Sequence, residues 1–163
     1  MWGRVSSSRA DGQHGNRPQP LKMPSVLFVC VANSCRSQMA EAIASSIAGQ
    51  GWEIWSAGSH PSGRVHPLAI QLMEEVGLDL SHHQPKGLDE VPNRRWDYVV
   101  TMGCGDACPT VAATKRLDWE IPDPIGLPPP EARRIRDQIA RLVRDMIGSH
   151  ARSEDGQPRG RAA

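Results

Sequence analysis

The chain has 163 residues, a formal net charge of +1 and 39% hydrophobic residues. That length is sufficient for one domain with a hydrophobic core, and the near-zero charge argues against nucleic acid as a partner. No stretch approaches the roughly 18 apolar residues of a membrane span, and the first residues lack the apolar segment of a secretory signal. We therefore expect a cytoplasmic protein that does not bind membranes.

The two ends of the chain differ in composition from its middle. Residues 1–22 and 149–163 are rich in Gly, Ser, Arg, Gln and Pro and poor in apolar side chains, which is typical of disordered tails. The sequence thus predicts a single folded domain over residues 23–148, with Met23 as a candidate natural start.

Strand and helix patterns alternate through this domain. The predicted elements are, in chain order, a strand at Val26–Val29, a helix at Ser37–Ala48, a strand at Trp52–Ser56, a helix at Pro67–Val76, a strand at Asp97–Met102, a short strand near Ile121 and a helix at Glu131–Ile147. Strands separated by helices indicate βαβ units with right-handed crossovers. The predicted fold class is therefore α/β, a single domain with a four-stranded parallel sheet and helices on both faces.

A cysteine ends the first predicted strand, and an arginine opens the next helix in a Cys-x5-Arg spacing. A tight loop there would turn its backbone N–H groups inward, and the helix N-terminus would add positive charge, which together favour a bound oxyanion. The same field stabilises a thiolate, and Arg36 offers a planar fork of donors. We predict that Cys30 attacks a phosphate-like anion held by Val31, Ala32, Asn33, Ser34, Cys35, Arg36 and Ser37. The simpler alternative is that Cys30 is a small buried apolar residue.

A second cysteine pair, Cys104 and Cys108, follows the third predicted strand. Ligands of parallel sheets bind beyond the carboxyl ends of the strands, so this pair and Cys30 can share one rim. Four cysteines in a cytoplasmic protein are more often catalytic or metal-binding than structural. A zinc site built from Cys30, Cys35, Cys104 and Cys108 is an alternative, but the x4 and x3 spacings differ from the usual C-x2-C pair, so we expect no bound metal.

The segment from Val29 to Ala42 resembles the nucleophile loop of the low-molecular-weight tyrosine phosphatase superfamily, and within it that of the arsenate reductases that share the fold. The resemblance extends from about Ser25 to Met146. Further matching stretches are Ser56-Ala57-Gly58, Val65-His66-Pro67, Gly77–Ser81, Val99–Pro109 and Asp123-Pro124.

The resemblance implies a role for each matching residue. Cys30 would be the nucleophile, the backbone from Val31 to Arg36 and the Arg36 guanidinium would hold the oxyanion, and Ser37 would donate to the Cys30 thiolate. Asn33 would brace the loop. Ala32 stands where the family commonly has Gly, which would strain the loop if that position needs a positive φ.

Asp123, directly before Pro124, would be the general acid that protonates the leaving oxygen. The alternative is a turn residue, since Asp commonly starts turns. Cys35 is expected to pack in the loop or to protect oxidised Cys30, and His66 is expected to cap a helix or to pack.

The choice between reductase and phosphatase depends on two features. Phosphatases of this fold carry aromatic residues after the Asp-Pro pair, whereas Ile125 and Gly126 follow here. Reduction of an oxyanion needs two electrons, which Cys104 and Cys108 or an external thiol can supply by forming a disulfide. The resemblance thus implies a thiol-dependent arsenate reductase that serves arsenic detoxification, with a protein tyrosine phosphatase as the alternative.

The resemblance also implies the partners of the protein. Arsenate would be the substrate and phosphate a competing anion. The reductant would be external, either thioredoxin or mycothiol with a mycoredoxin or glutaredoxin-like protein, with no bound cofactor. The x3 spacing of Cys104 and Cys108 favours the small thiol slightly, since thioredoxin-coupled members generally space this pair more widely. We expect a monomer.

Overall fold

The structure, a computed structural model, describes residues 23–103 and 110–155. Its elements are β1 (Ser25–Cys30), α1 (Arg36–Ala48), a 3-10 turn (Gly49–Gly51), β2 (Glu53–Gly58), α2 (Pro67–Glu74), a 3-10 turn (Leu88–Glu90), β3 (Trp96–Thr101), β4 (Ala113–Asp118) and α3 (Pro129–Asp155). The four strands form one parallel sheet in the order β2-β1-β3-β4. This confirms the predicted α/β class and parallel sheet.

Strand β1 lies at the centre of the sheet, which explains its unbroken apolar sequence. It pairs with β2 on one side and β3 on the other, and all six of its residues are buried. Its last residue, Cys30, lies opposite Gly58, the last residue of β2. The carboxyl ends of the central strands therefore meet at the edge of the sheet where Cys30 emerges.

The two faces of the sheet are covered unequally. Helices α1, α2 and α3 pack together over the face that carries Val26 and Phe28. The opposite face, which carries Leu27 and Val29, is covered in the described part of the chain by the segment around the 3-10 turn Leu88–Glu90. Of the helices in the described residues, none is both long and apolar enough to span a bilayer.

The fourth strand lies earlier in the chain than the sequence predicts. It is formed by Ala113–Asp118 and pairs with β3, whereas the prediction placed it near Ile121. As an edge strand it leaves Lys115 and Arg116 exposed, so it lacks the apolar pattern that reveals buried strands.

The last helix is longer at both ends than the predicted Glu131–Ile147. It begins at Pro129, since proline fits the first helical turn, and it continues to Asp155, so residues 149–155 are helical rather than part of the predicted tail. The His150 ring packs against Trp52 and Tyr98, and the Tyr98 hydroxyl lies 3.0 Å from His150 Nδ1. This tertiary contact holds the final turns, which the polar local sequence does not predict.

Candidate active site

The loop between β1 and α1 is held from the outside by its backbone carbonyls. The backbone N–H groups of Ser59, His60, Ser62 and His66 donate to the carbonyls of Cys30, Val31, Ala32 and Ser34 at 2.8–3.2 Å. The Asn33 carbonyl accepts from the Gln38 side chain and the Cys35 carbonyl from Met39 N–H. In a trans peptide the carbonyl of one residue and the N–H of the next point in opposite directions, and the described residues contain no cis peptide. The N–H groups of residues 31–36 therefore face the inside of the loop, where they form an anion cradle.

Gly58, at the end of β2, allows the loop to lie directly against the sheet. A Cβ atom at this position would lie 2.5 Å from the Val31 carbonyl oxygen and 3.0 Å from the Asn33 amide nitrogen. Only glycine leaves room for the two backbones to approach this closely. The position of the cradle therefore depends on a residue distant from it in sequence.

Asn33 contacts both Cys30 and Ser37, the residue whose hydroxyl lies beside the Cys30 sulfur. Its Oδ1 accepts from Lys86 N–H at 2.9 Å, so its Nδ2 donates to Ser37 Oγ at 2.8 Å. Ser37 Oγ lies 2.7 Å from Cys30 Sγ, and its hydroxyl donates to the sulfur when Cys30 is a thiolate. Asn33 N–H donates to the same sulfur at 3.1 Å. A sulfur that accepts two hydrogen bonds is stabilised as the thiolate, the nucleophilic form.

The loop has its positive φ at Asn33 and not at Ala32, so the condition under which Ala32 would strain the loop is not met. Asn33 has φ 49°, and among the described residues it is the one non-glycine residue with positive φ. Asparagine tolerates this left-handed conformation better than most residues. Ala32 therefore fits the loop without the strain that the missing glycine predicted.

Arg36 connects the loop to the segment that carries Asp123. Its Nη1 donates to the Ile121 carbonyl at 2.7 Å. Gly103, with φ 76°, lies against the guanidinium, and a Cβ there would be 2.8 Å from Nη1. Asp123 follows two residues after Ile121; it is exposed, and its Oδ1 accepts from Ile125 N–H at 3.0 Å. Asp123 therefore occupies a turn beside the site, which fits both of its predicted roles.

Cys35 differs from Cys30 in its surroundings. Burial, and next the negative charge of Asp123, raise the pKa of the Cys35 thiol to about 12, although the charge of Arg36 opposes this. Cys35 packs in the main hydrophobic core. At neutral pH it is a protonated thiol and a poor nucleophile.

His66 caps a helix, as the sequence predicts. Its Nδ1 accepts from Leu68 N–H at 3.0 Å at the start of α2, and its backbone N–H donates to the Ser34 carbonyl. The same residue thus caps the start of α2 and supports the loop between β1 and α1.

A cluster of polar side chains lies behind the loop, and the sequence analysis did not predict it. Gln38 Nε2 donates to Asn33 O and Oδ1 at 3.2 and 3.0 Å, and His83 Nδ1 lies 3.1 Å from Gln38 Oε1. Glu41 accepts from Ser56 Oγ at 2.7 Å. Although burial raises the pKa of Glu41, the nearby His83, the hydrogen bond from Ser56 and the charge of Lys86 hold that pKa below its usual value. Gln38 is fully buried on α1, and a buried polar side chain needs hydrogen-bond partners, so its burial indicates such a cluster.

The second cysteine pair, Cys104 and Cys108, lies outside the described residues, so its predicted place on the rim beside Cys30 stays a prediction. Within residues 23–103 and 110–155, no group of three or more His, Cys, Asp or Glu residues is placed to hold a metal ion.

A parallel α/β sheet whose first strand ends in a cysteine, beside a loop of inward-facing backbone N–H groups, is an arrangement suited to cysteine enzymes that act on tetrahedral oxyanions. The model of the family "Low molecular weight phosphotyrosine protein phosphatase" matches residues 25–155. The chain belongs to this family.

Several similar proteins are arsenate reductases. Arsenate reductase 2 of Staphylococcus epidermidis is 41% identical over 122 residues, which cover 72% of this chain and 92% of the relative. A solved arsenate reductase in the phosphate binding state has a TM-score of 0.71 at 37% identity, covering 78% of this chain and 98% of that one. A thioredoxin-dependent arsenate reductase of Corynebacterium glutamicum has a TM-score of 0.66 at 37% identity, covering 80% of this chain and 63% of that one.

Proposed function

We propose that the protein is an arsenate reductase that serves arsenic detoxification. The observation that carries this proposal is the position of Cys30 Sγ, which lies 2.7 Å from Ser37 Oγ and accepts a hydrogen bond from Asn33 N–H at the mouth of a loop of backbone N–H groups. Such a thiolate can attack a tetrahedral oxyanion that the cradle holds. Proteins similar to this chain are arsenate reductases, which supports arsenate as that oxyanion.

The first step joins Cys30 to arsenic. The thiolate attacks arsenic(V), a sulfur–arsenic bond forms, and one arsenate oxygen leaves as water after protonation. Arg36 and the N–H groups of residues 31–36 stabilise the charge on the remaining oxygens, and Asp123 supplies the proton to the leaving oxygen. Phosphate, with the same shape and charge, competes for the cradle.

The second step transfers two electrons to arsenic. A second thiol attacks Cys30 Sγ, the sulfur–arsenic bond breaks, and its electron pair stays on arsenic, which leaves as arsenite. The two thiols lose two electrons in total and end as a disulfide. No bound cofactor is needed, because an external thiol reductant regenerates Cys30.

The second thiol is either internal or external. In the internal route Cys104 attacks Cys30, Cys108 resolves that disulfide, and thioredoxin reduces the product; a similar structure is thioredoxin-dependent. In the external route mycothiol attacks, and a mycoredoxin or glutaredoxin-like protein follows. We favour the external route slightly, because the x3 spacing of Cys104 and Cys108 is short.

Trapping experiments separate the two routes. If the route is internal, Cys108→Ser accumulates a Cys30–Cys104 disulfide that peptide mapping detects, and Cys104→Ser blocks turnover with thioredoxin. If it is external, both variants turn over with the small thiol, and Cys30 carries it as a mixed disulfide. Loss of small-thiol turnover in both folded variants would contradict the external route.

A phosphatase acting on aryl phosphates is the second candidate, favoured by the family that the chain matches. The residue after Asp123-Pro124 is Ile125, an exposed aliphatic side chain, and the Tyr98 ring is buried in β3. An aryl group would therefore find little aromatic surface on this turn.

We further propose a cytoplasmic location, since the reducing cytoplasm keeps the reacting thiols available. We also propose that the protein is a monomer.

The test compares two reactions of the same purified protein. We expect arsenate to cause thiol oxidation coupled to thioredoxin reductase or to the mycothiol system, and hydrolysis of p-nitrophenyl phosphate to be slow by comparison. Cys30→Ser serves as the control and should abolish both reactions. Rapid hydrolysis without arsenate-dependent thiol oxidation by either donor would establish the phosphatase instead.

A further inference from the structure

The series of hydrogen bonds from Cys30 through Ser37 to Asn33 continues beyond Asn33. Gln38, which holds Asn33, is itself held by a histidine of the segment after α2. We propose that His83 is a positioning residue for the Cys30 thiolate, acting through Gln38, Asn33 and Ser37. The proposal rests on the proposed function only in taking Cys30 as the nucleophile.

The orientation of the Gln38 amide follows from its neighbours. Its Nε2 lies 3.0–3.2 Å from three carbonyl oxygens, namely Asn33 O, Asn33 Oδ1 and Gln84 O. Oxygen there would face three acceptors, so this atom must be the donating nitrogen. Gln38 Oε1 therefore faces His83.

The proton on His83 follows from the same argument. Gln38 Oε1 can only accept, so His83 Nδ1, at 3.1 Å, must carry a hydrogen and donate it. The neutral Nδ1–H tautomer and the imidazolium both have this hydrogen. Either form can therefore donate to Gln38, and Glu41 Oε2 lies farther from the same nitrogen, at 3.7 Å.

Removal of the His83 donor would weaken, one after another, the hydrogen bonds that connect His83 to Cys30. Gln38 is fully buried, and its Oε1 would be left without that hydrogen bond, which a buried amide tolerates poorly. Rotation of the amide to find another donor would remove Nε2 from Asn33. Asn33 would then hold Ser37 Oγ less firmly, and the Ser37 hydroxyl would be less well placed to donate to the Cys30 thiolate.

The chain offers a matched control at the next position. His82 is adjacent to His83, but its side chain is 90% exposed and contacts Asp79, away from the loop. His83→Leu removes the donor and keeps an apolar volume. His83→Asn keeps an N–H at the position of Nδ1, so it should restore the bond to Gln38. His82→Ala removes a histidine without touching Gln38.

The readout is the rate at which iodoacetamide alkylates Cys30 at pH 7, followed by peptide mass spectrometry, together with kcat and KM for arsenate. We expect His83→Leu to slow alkylation and to lower kcat by about fivefold or more, the effect of about one hydrogen bond, with KM little changed because the backbone cradle remains. His83→Asn and His82→Ala should stay within about twofold of wild type, below the effect of one such bond. Alkylation needs no arsenate, so failure of this proposal is distinguishable from failure of the proposed function.

A folded His83→Leu protein that alkylates at the wild-type rate would overturn the proposal, and so would a His83→Asn protein as slow as His83→Leu. If His83→Leu does not fold, nuclear magnetic resonance of the wild-type imidazole decides. We expect a hydrogen on Nδ1. Hydrogen on Nε2 alone would show that His83 does not donate to Gln38, and the proposal would then be wrong.

Discussion

The loop between β1 and α1 and the turn that contains Asp123 lie side by side, but different kinds of hydrogen bond hold them. In the loop, carbonyl after carbonyl from Cys30 to Cys35 accepts a hydrogen bond, and Cys30, Asn33 and Ser37 are buried. Asp123 is exposed, and its carboxylate accepts from Ile125 two residues away in the same turn. Binding an anion and stabilising a thiolate require fixed donors, whereas a proton donor has to approach the leaving oxygen from the solvent side. Substitutions in the loop should therefore cost more than substitutions in the turn.

The largest effect should come from the nucleophile. Cys30→Ser should abolish arsenate reduction, because a hydroxyl is not ionised at neutral pH, and should leave the fold intact, because Ser fills nearly the same space. Turnover and the circular dichroism spectrum measure the two expectations. Alkylation of wild type at pH 7 should modify Cys30 and leave Cys35 unmodified, since burial holds the pKa of Cys35 at about 12. Modification of Cys35 at an equal rate would contradict the contrast between the two thiols.

Arg36, which joins the two regions, should come next. Arg36→Lys replaces a planar fork by a point charge and shortens the side chain that reaches the Ile121 carbonyl. We expect kcat/KM for arsenate to fall by about 100- to 1000-fold, equivalent to about 2.7–4 kcal/mol of transition-state stabilisation. Near wild-type kinetics in the lysine variant would show that the guanidinium does not hold the substrate.

Asp123→Asn separates the two roles of the turn residue. Asn retains an Oδ1 that accepts from Ile125 N–H but cannot donate a carboxylic proton. A general acid predicts a loss of about 100-fold in kcat, the lower end of the usual range, with the melting temperature unchanged. An unchanged kcat would identify Asp123 as a turn residue only. Asp123→Ala should lower stability slightly as well, because the turn bond is lost.

Gly58→Ala tests how the loop is held by the sheet. The added Cβ would lie 2.5 Å from the Val31 carbonyl oxygen, so the loop would have to move. We expect a loss of about 1–3 kcal/mol in the free energy of unfolding and weaker phosphate binding, measured by urea denaturation and calorimetry. Gly51→Ala is the control, since a Cβ there meets nothing within 4 Å. Equal stability of the two variants would contradict the close approach.

The smallest effect concerns acid stability. The folded-state pKa of Glu41 is lowered, so its stabilising contribution is present above its unfolded pKa, about 4.5, and is lost as the pH falls through the folded pKa. Wild type should therefore lose more unfolding free energy than Glu41→Gln between pH 7 and pH 3. Parallel losses in the two proteins would show that Glu41 is not stabilised by its partners.

Much of the loop between β1 and α1 could be predicted, because the residues that define it are close together in the sequence. The apolar run of β1, the Cys-x5-Arg spacing and the start of α1 follow one another within a few residues. The capping role of His66 is local too, since proline directly follows it. The position of β4 could not be predicted in the same way, because an exposed edge strand is stabilised by its pairing with β3 and not by its own apolar pattern.

The sequence by itself therefore determined the α/β class, and it predicted the nucleophile, the anion-binding loop and the arginine that would serve it. The tertiary structure decided how the loop is supported. Lys86 binds Asn33 from 53 residues away, His83 binds Gln38 from 45 residues away, and Gly58 admits the loop against β2. These contacts join segments that no periodicity links, and only the folded chain brings them together. The hydrogen bond from Asn33 to Ser37, which lies beside Cys30, depends on those distant partners.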